Sequence, residues 1–491
     1  MSLLAKSARG LKWQAIEIAG RQLLSLFVFT TLARLLDPSA FGLLGLVGVY
    51  LGFAALVADQ GLGTALVQRK EIEPEHLSAA FWWNVGCAAV LCLATLALSG
   101  WFAKFFDEPR LAPLLRWSSL ALVINALVAV QGSMFTRAMD FRSVAIRTFV
   151  ATVAGGVVGV GMALGGCGVW ALVGQQLATS VAGACFLWFA SPWRPSLVLS
   201  WPHLKQLITV STSVFATGFL WFISSRLDQL VIGRFAGSAV LGQYVVGGRL
   251  SEIARVAIQQ PLGAVSLPAL SQLQQDHQRM CRAIYRGMEL NALVSFSVFG
   301  GLAAVAPTLV PLAFGAQWEP AASMLQLLAV YNLIVGLLVY CFPALLVSGN
   351  LGRFMVVNIG CSVGAATACL VGIRYGVHGV ILGLIINISI TGLLALLFLR
   401  SRIGLDPWKY CQPCLVPGAA GAAMFAAVGL TRTLLSTRTG EWPNLVAQVL
   451  AGAVVYTGLV LLMAPASAAR LREFAALSLA RGAQQPPPPA A

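Results

Sequence analysis

The chain has little charge. Only 10% of its 491 residues are Asp, Glu, Lys or Arg, and 58% are hydrophobic, whereas a soluble globular protein carries about 25% charged residues. So few polar side chains cannot coat a water-facing surface, which excludes a soluble enzyme of this length. Acids are the scarcest charge: 17 against 32 basic residues, a net of +15. Histidine is rarer still. His76, His203, His277 and His378 fall at expected loops, and none shows metal-ligand spacing, so no metal site is expected. No G-x-x-x-x-G-K-[ST] sequence occurs, which excludes an ATP-driven pump within this chain. The ten cysteines sit mostly within or beside apolar runs and read as small core residues. Cys411-Gln-Pro-Cys414 has the spacing of a redox pair but lacks the βαβ context of one.

What the chain has is long apolar runs. A helix needs about 20 mostly apolar residues to cross the bilayer core. Fourteen segments qualify, at residues 13–36, 41–66, 78–103, 113–134, 145–164, 169–190, 207–232, 240–265, 284–306, 321–345, 354–374, 377–399, 413–433 and 445–464. The expected fold is therefore an all-α polytopic membrane protein. Its first apolar stretch is too long for a cleavable signal and carries Glu17 and Arg21. An even count puts both termini on one side. The basic residues choose that side, because one set of connections holds twenty of the 32, from Lys6, Arg9 and Lys12 to Arg470, Arg472 and Arg481. Positive charge in short loops marks the cytoplasm, so both ends are expected there. The positive net charge thus speaks for membrane orientation and against a nucleic-acid partner.

The chain also resembles itself at a shift of 200 residues: Arg34 meets Arg234, Gly42 meets Gly242, Gly48 meets Gly248, and Gln60 meets Gln260. Later the shift is 211, with Arg142 against Arg353 and Gly168-Val169 against Gly379-Val380. The repeat pairs spans 1–6 with spans 7–12. Six is even, so the halves are parallel and related by an axis along the membrane normal, a build common among secondary transporters. The organisation expected is an N-lobe at 1–190, a Pro-containing cytoplasmic linker at 191–206 and a C-lobe at 207–399. A helix pair with its preceding loop follows at 400–465, then a cytoplasmic tail at 466–491 whose Pro-rich end is low in complexity.

Ionisable groups at bilayer depth are costly and mark cavities or mutual pairing. Gln14, Glu17, Arg21 and Ser25 share one side of span 1. Span 8 carries Tyr244, Gly248, Ser251, Glu252, Arg255 and Gln259 on a stripe about 80° wide, with Arg249 at its edge. Span 7 has a similar stripe ending in Asp228, from which Arg226 points away. Glu17–Arg21 and Glu252–Arg255 have the spacing of intrahelical pairs that simply hold helices together. The alternative is a hydrated cavity whose arginines need a counter-charge while it is empty. On the cavity reading, Arg21, Arg249 and Arg255 bind an anionic group, since guanidinium matches phosphate bidentately. Gln14, Ser25, Tyr244 and Gln259 line the same space, and Glu17, Asp59, Asp228 and Glu252 supply counter-charge or take up a coupling H+ or Na+. No other cofactor is expected. Whether Arg226 and Glu289 face the cavity stays open.

Several motifs carry a resemblance. Ala33-Arg34-Leu35-Leu36-x-Pro38-x-x-Phe41-Gly42, followed by Asp59-x-Gly61-Leu62-Gly63-x-Ala65-Leu66-Val67-Gln68-Arg69, resembles the opening of the Wzx-type polysaccharide flippases. So does Arg137-x-Met139-Asp140-Phe141-Arg142. Asp228-x-x-x-Ile232-Gly233 and Leu241-Gly242-x-Tyr244 resemble the start of their second lobe. The branch most similar is that of the colanic-acid exporters, within the superfamily that also holds multidrug-and-toxin exporters. The resemblance implies two pseudosymmetric six-helix lobes that open alternately to either side of the bacterial inner membrane. It implies the transport of undecaprenyl-diphosphate-linked sugar repeat units to the periplasmic leaflet, alongside a polysaccharide polymerase and a chain-length regulator. The last two spans are similar to an added pair that forms a lipid groove in a related peptidoglycan-precursor flippase. A multidrug exporter is the alternative, disfavoured by the arginines. A membrane polymerase or ligase is disfavoured further, because the outer loops reach only about fifteen residues.

Overall fold

The computed structural model describes residues 20, 22–69, 71–198, 200–349, 351–435 and 440–465. Among these the regular structure is helical, with no strand. The helices are α1 (Gln22–Leu35), α2 (Pro38–Asp59), α3 (Leu62–Gln68), α4 (Pro74–Phe105), α5 (Leu111–Ser118) and α6 (Leu120–Arg137). They continue with α7 (Phe141–Leu164), α8 (Trp170–Ala190), α9 (Trp201–Phe235), α10 (Ser238–Gln272), α11 (His277–Phe314) and α12 (Glu319–Leu337). Last come α13 (Cys341–Val347), α14 (Leu351–Gly372), α15 (Gly376–Ile403), α16 (Pro407–Cys411), α17 (Leu415–Leu435) and α18 (Glu441–Met463). The expected tail at 466–491 lies outside the described residues.

Among the described residues, ten helical stretches are long and apolar enough to cross a membrane. One of them, Gly352–Ile403, holds two of the expected spans, joined at a 3-10 turn over Ile373–Tyr375. Helices α9 and α10, which carry the charges of spans 7 and 8, have 35 residues each and exceed the length a bilayer requires. The set is compatible with fourteen spans. Large apolar side chains such as Phe189, Val454 and Leu462 stand more than two-thirds exposed, as expected where the surrounding medium is hydrocarbon.

Two spans read as continuous are interrupted. Span 2 ends as α2 at Asp59, because Gln60 and Gly61 turn left-handed at φ 46° and 80° before α3 begins. The Asp59 carboxylate then accepts the Gly63 amide at 3.3 Å, satisfying a donor that the new helix start leaves open. Span 10 turns over residues 338–340 between α12 and α13, whereas span 4 runs on from α5 to α6 through Ser119, whose backbone stays helical at φ −64° and ψ −21°. Prolines tell less: α10 runs through Pro261 and Pro268, and α11 through Pro307 and Pro311. Membrane helices tolerate such residues because neighbouring groups satisfy the freed carbonyls.

The chain forms two compact units, Met1–Val246 and Gly247–Ala491. The division falls inside α10, whereas the border expected from the repeat lies at residues 191–206, before α9. The two differ because similarity records where a helix came from, and contacts record what it packs on. In the first unit α9 packs on α2, α3 and α4, with Leu62, Leu66, Phe81, Val130 and Leu207 in the shared core. In the second unit α11 packs on α12, α17 and α18, around Leu293, Met424, Val428 and Tyr456.

One contact of the first unit carries the repeat in its geometry. A Cβ on Gly42 would lie 1.7 Å from the Ser238 carbonyl oxygen, and one on Gly242 would lie 1.8 Å from the Pro38 carbonyl oxygen. At a shift of 200, Gly42 corresponds to Gly242 and Pro38 to Ser238. The contact is therefore reciprocal, as across a two-fold axis. Only glycine allows backbones to approach this closely.

Candidate functional site

In the first unit, α9 and α10 bring Asp228 and Tyr244 together. The Tyr244 hydroxyl donates to one carboxylate oxygen of Asp228, and the Gln229 amide donates to the other at 2.8 Å. Tyr244 is buried and Asp228 half-buried. Two donors thus satisfy the carboxylate oxygens, which hydrocarbon could not do. Arg226 is exposed on α9, and Ser25 is half-buried on α1. Asp59, at the α2–α3 break, is half-buried and spends one oxygen on the Gly63 amide. Gln14, Glu17 and Arg21 lie outside the described residues.

In the second unit, Glu252 and Arg255 on α10 form a two-pronged pair: the Arg255 Nε donates to one oxygen at 2.7 Å and an Nη to the other at 2.6 Å. Their side chains remain 45% and 28% exposed, so an incoming anion can reach the guanidinium edge without first dismantling a buried core. Arg249 is half-buried on the same helix, and Glu289 is half-buried on α11.

Gln259 has another use. It is buried, and its amide donates to the Asn332 carbonyl on α12 at 2.7 Å. It belongs to a polar seam through α10, α11 and α12. The Asn332 amide donates to Ser251 Oγ, Ser251 donates to the Leu328 carbonyl, Asn291 donates to the Gly336 carbonyl, and Ser295 donates to Asn291. Hydrocarbon offers no partner to these groups, so they find one another. The stripe read on span 8 thus serves two ends: Ser251 and Gln259 fasten α10 to its neighbours, while Glu252 and Arg255 stay accessible.

The opposite face of α10 lines an apolar groove that periodicity did not single out. Leu250, Ile253, Ala254 and Ala257 meet Val298, Gly301 and Leu302 of α11, Met424 and Val428 of α17, and Val449, Gly452 and Ala453 of α18 around about 420 Å³ of space. The four α10 residues fall within roughly 100° of arc, and Glu252, Arg255 and Gln259 lie roughly 150–170° away. Exposed Val298, Val449 and Ala453 leave the groove open to the surrounding medium. The last helix is anchored beside it by two bonds to α11: Tyr456 donates to the Leu293 carbonyl at 2.7 Å, and the Gln448 amide donates to Thr308 Oγ1 at 3.0 Å. A run of small residues in α18 was the available signal, but it reads equally as tight helix packing.

Residues 31–323 match the model of a family described as polysaccharide biosynthesis protein. The chain belongs to this family. Among its relatives, the lipopolysaccharide biosynthesis protein WzxC of Escherichia coli (strain K12) is 28% identical over 336 residues, 68% of each chain. The succinoglycan biosynthesis transport protein ExoT of Rhizobium meliloti (strain 1021) is 25% identical over 473 residues, 95% of each chain. In fold, the family member resembles the lipid II flippase MurJ in its inward closed conformation, with a TM-score of 0.73 over 91% of this chain and 98% of that one at 15% identity. It also resembles an inward-facing multidrug resistance MATE transporter, with a TM-score of 0.61 over 78% and 94% at 15% identity. The architecture is that of a multi-pass membrane protein.

Proposed function

We propose that the protein carries undecaprenyl-diphosphate-linked oligosaccharide repeat units from the cytoplasmic to the periplasmic leaflet of the bacterial inner membrane, for exopolysaccharide or lipopolysaccharide biosynthesis. The observation that carries this reading is the apolar groove built by α10, α11, α17 and α18, in a chain whose family makes polysaccharides. A diphosphate with many hydroxyls cannot cross hydrocarbon unaided, whereas its prenyl tail is at home there. A transporter of such a molecule needs an apolar channel for the tail and cationic groups for the head. Helix α10 carries both kinds of surface: the groove takes the tail, and Arg249 and Arg255 recognise the diphosphate. Arg21 joins them on the sequence reading.

Release on the far side requires a state with weaker affinity for the head group. Asp228 with Tyr244, and Glu252 with Arg255, are the acids whose occupation by H+ or Na+ drives that change. The reciprocal Gly42–Gly242 contact supports two lobes related by a pseudo-two-fold axis, 1–190 and 207–399, with residues 191–206 between them. Both termini lie in the cytoplasm, and a polymerase and a chain-length regulator take over the product. The MATE-like fold keeps a multidrug exporter as the second reading.

The deciding experiment deletes the gene in its own host and analyses lipid-linked intermediates and surface polysaccharide. Accumulation of undecaprenyl-diphosphate oligosaccharide on the cytoplasmic face, with loss of the polymer outside, is expected. Intact polysaccharide with new sensitivity to organic cations would instead assign the multidrug reading. Neutral substitutions of Arg249 and Arg255 that left transport intact would remove the head-group assignment.

A further inference from the structure

Glu73, His76 and His203 come together in the first unit, outside the surfaces described above. Glu73 caps the start of α4, His76 lies in its first turn, and His203 lies in the first turn of α9. One potential ligand atom from each lies within 4.8 Å of the other two. The Glu73 Oε2 is 2.9 Å from His203 Nε2 and 3.9 Å from His76 Nδ1. Ligand atoms around a tetrahedral zinc ion stand about 3.3 Å apart, given metal–ligand distances near 2.0–2.1 Å. Small side-chain rotations therefore suffice to bring all three onto one ion. Glu73 has that freedom, being 63% exposed, while His76 is held in place at 2%.

The outer nitrogens supply a second and independent observation. Arg69 donates to Gln206 Oε1 at 2.5 Å, and a guanidinium can only donate, so that atom is the amide oxygen. The same oxygen lies 3.3 Å from His76 Nε2, which must therefore carry a proton. His76 is thereby fixed in the tautomer whose Nδ1 lone pair is available, and Nδ1 faces Glu73. It now accepts only a long 3.3 Å bond from the Glu73 amide. On the other imidazole, Ser200 Oγ lies 2.5 Å from His203 Nδ1. Nε2 now faces the Glu73 carboxylate at 2.9 Å and donates its proton there; an ion between the two replaces that proton, and Ser200 Oγ then accepts from Nδ1. Each histidine thus has one nitrogen toward the cluster and the other held by an oxygen partner, the arrangement that orients metal-bound imidazoles.

We propose that Glu73, His76 and His203 form a binding site for a borderline divalent transition metal, with Zn²⁺ the natural occupant. Two imidazoles and one carboxylate favour zinc over magnesium or calcium, which prefer all-oxygen sets. Three protein ligands leave a fourth position for water. The ion adds a link between the start of α4 and the start of α9, which already share an apolar core and hydrogen bonds between residues 130 apart in sequence.

The test uses the full-length protein purified in detergent and Zn²⁺ itself, titrated against a chromophoric chelator. Cys411→Ser/Cys414→Ser serves as the background, so that the remaining thiol pair cannot supply the site. One saturable Zn²⁺ per chain is expected in that background. His203→Gln and Glu73→Gln should each weaken it about tenfold or more, and Ser200→Ala should weaken it about tenfold through the outer bond alone. Since His76 and Glu73 also cap α4, His203→Gln, which leaves that cap intact, is the decisive variant. Zn²⁺ should raise the unfolding temperature of the background protein but not that of His203→Gln. Substituted Co²⁺ should give d–d bands of a nitrogen–oxygen set without thiolate charge-transfer. Absence of saturable Zn²⁺, equal affinity in His203→Gln, or a thiolate signature for Co²⁺ would each overturn the proposal.

Discussion

The reciprocal glycine contact allows a sharp prediction. Replacing Gly42 by Ala puts a methyl group 1.7 Å from the Ser238 carbonyl oxygen and 2.6 Å from its carbon. A comfortable carbon–oxygen approach is about 3.3 Å, so the two helix starts must part by about 1.5 Å. The obstacle is backbone, which no rotamer change relieves. Overpacking of this kind typically costs 1–3 kcal/mol, and a displacement this large belongs at about 3 kcal/mol. At about 1.4 kcal/mol per factor of ten, that lowers the population of this arrangement roughly a hundredfold relative to one with the helices apart. Gly242→Ala meets the Pro38 carbonyl at 1.8 Å and should behave alike. The double variant should be little worse than either single one, because the first methyl has already separated the backbones that the second would strike. Pulsed spin-label distances between Leu35 and Phe235, exposed positions that also correspond at a shift of 200, read the separation directly. Wild type should give a short distance, and all three variants a similar longer one. Wild-type distances in Gly42→Ala, or a double variant whose effect is the sum of the singles, would refute the argument.

Other surfaces give separate tests. Ala257→Trp and Ala453→Trp should fill the groove and cut flipping of lipid-linked oligosaccharide severalfold while leaving thermal stability near wild type; unchanged flipping would free the groove of the role given to it. Tyr244→Phe removes the hydroxyl donor to the half-buried Asp228 carboxylate, a bond worth about 1.5–3 kcal/mol, and should lower the unfolding temperature unless Asp228→Asn accompanies it. Asn332→Ala removes one buried bond to Ser251, whose hydroxyl keeps its own bond to the Leu328 carbonyl, and should cost about 0.5–1.5 kcal/mol; a double-mutant cycle with Ser251→Ala should return a coupling of about 0.6–1.7 kcal/mol. Arg255→Gln should reduce transport more than Lys does at the same position only if charge, and not the two-pronged geometry, recognises the head group; equal losses would point to the geometry.

Much of the molecule was legible from local pattern. The apolar runs announced the helices, and Gly42 with Gly242 announced the duplication, because both signals lie within a window the eye can slide along the chain. The break at Gln60-Gly61 was not legible. Hydropathy averages over a span and does not register a two-residue turn. The polar stripe of α10 was located, yet Gln259 and Glu252 proved to have different partners, which a helical wheel cannot assign because it knows one helix only.

By itself the sequence determined that this is a membrane protein of many helices, since the bilayer demands about 20 apolar residues in succession and that demand is local. Its basic loops likewise carry the expected orientation. What tertiary structure decided is which distant residues meet. The groove needs α10, α11, α17 and α18 at once, and no single helix announces it. The two histidines read as isolated loop residues until α4 and α9 packed together and set their rings 4.5 Å apart. A site of that kind is a property of chain crossings, and those are chosen by packing across the whole fold.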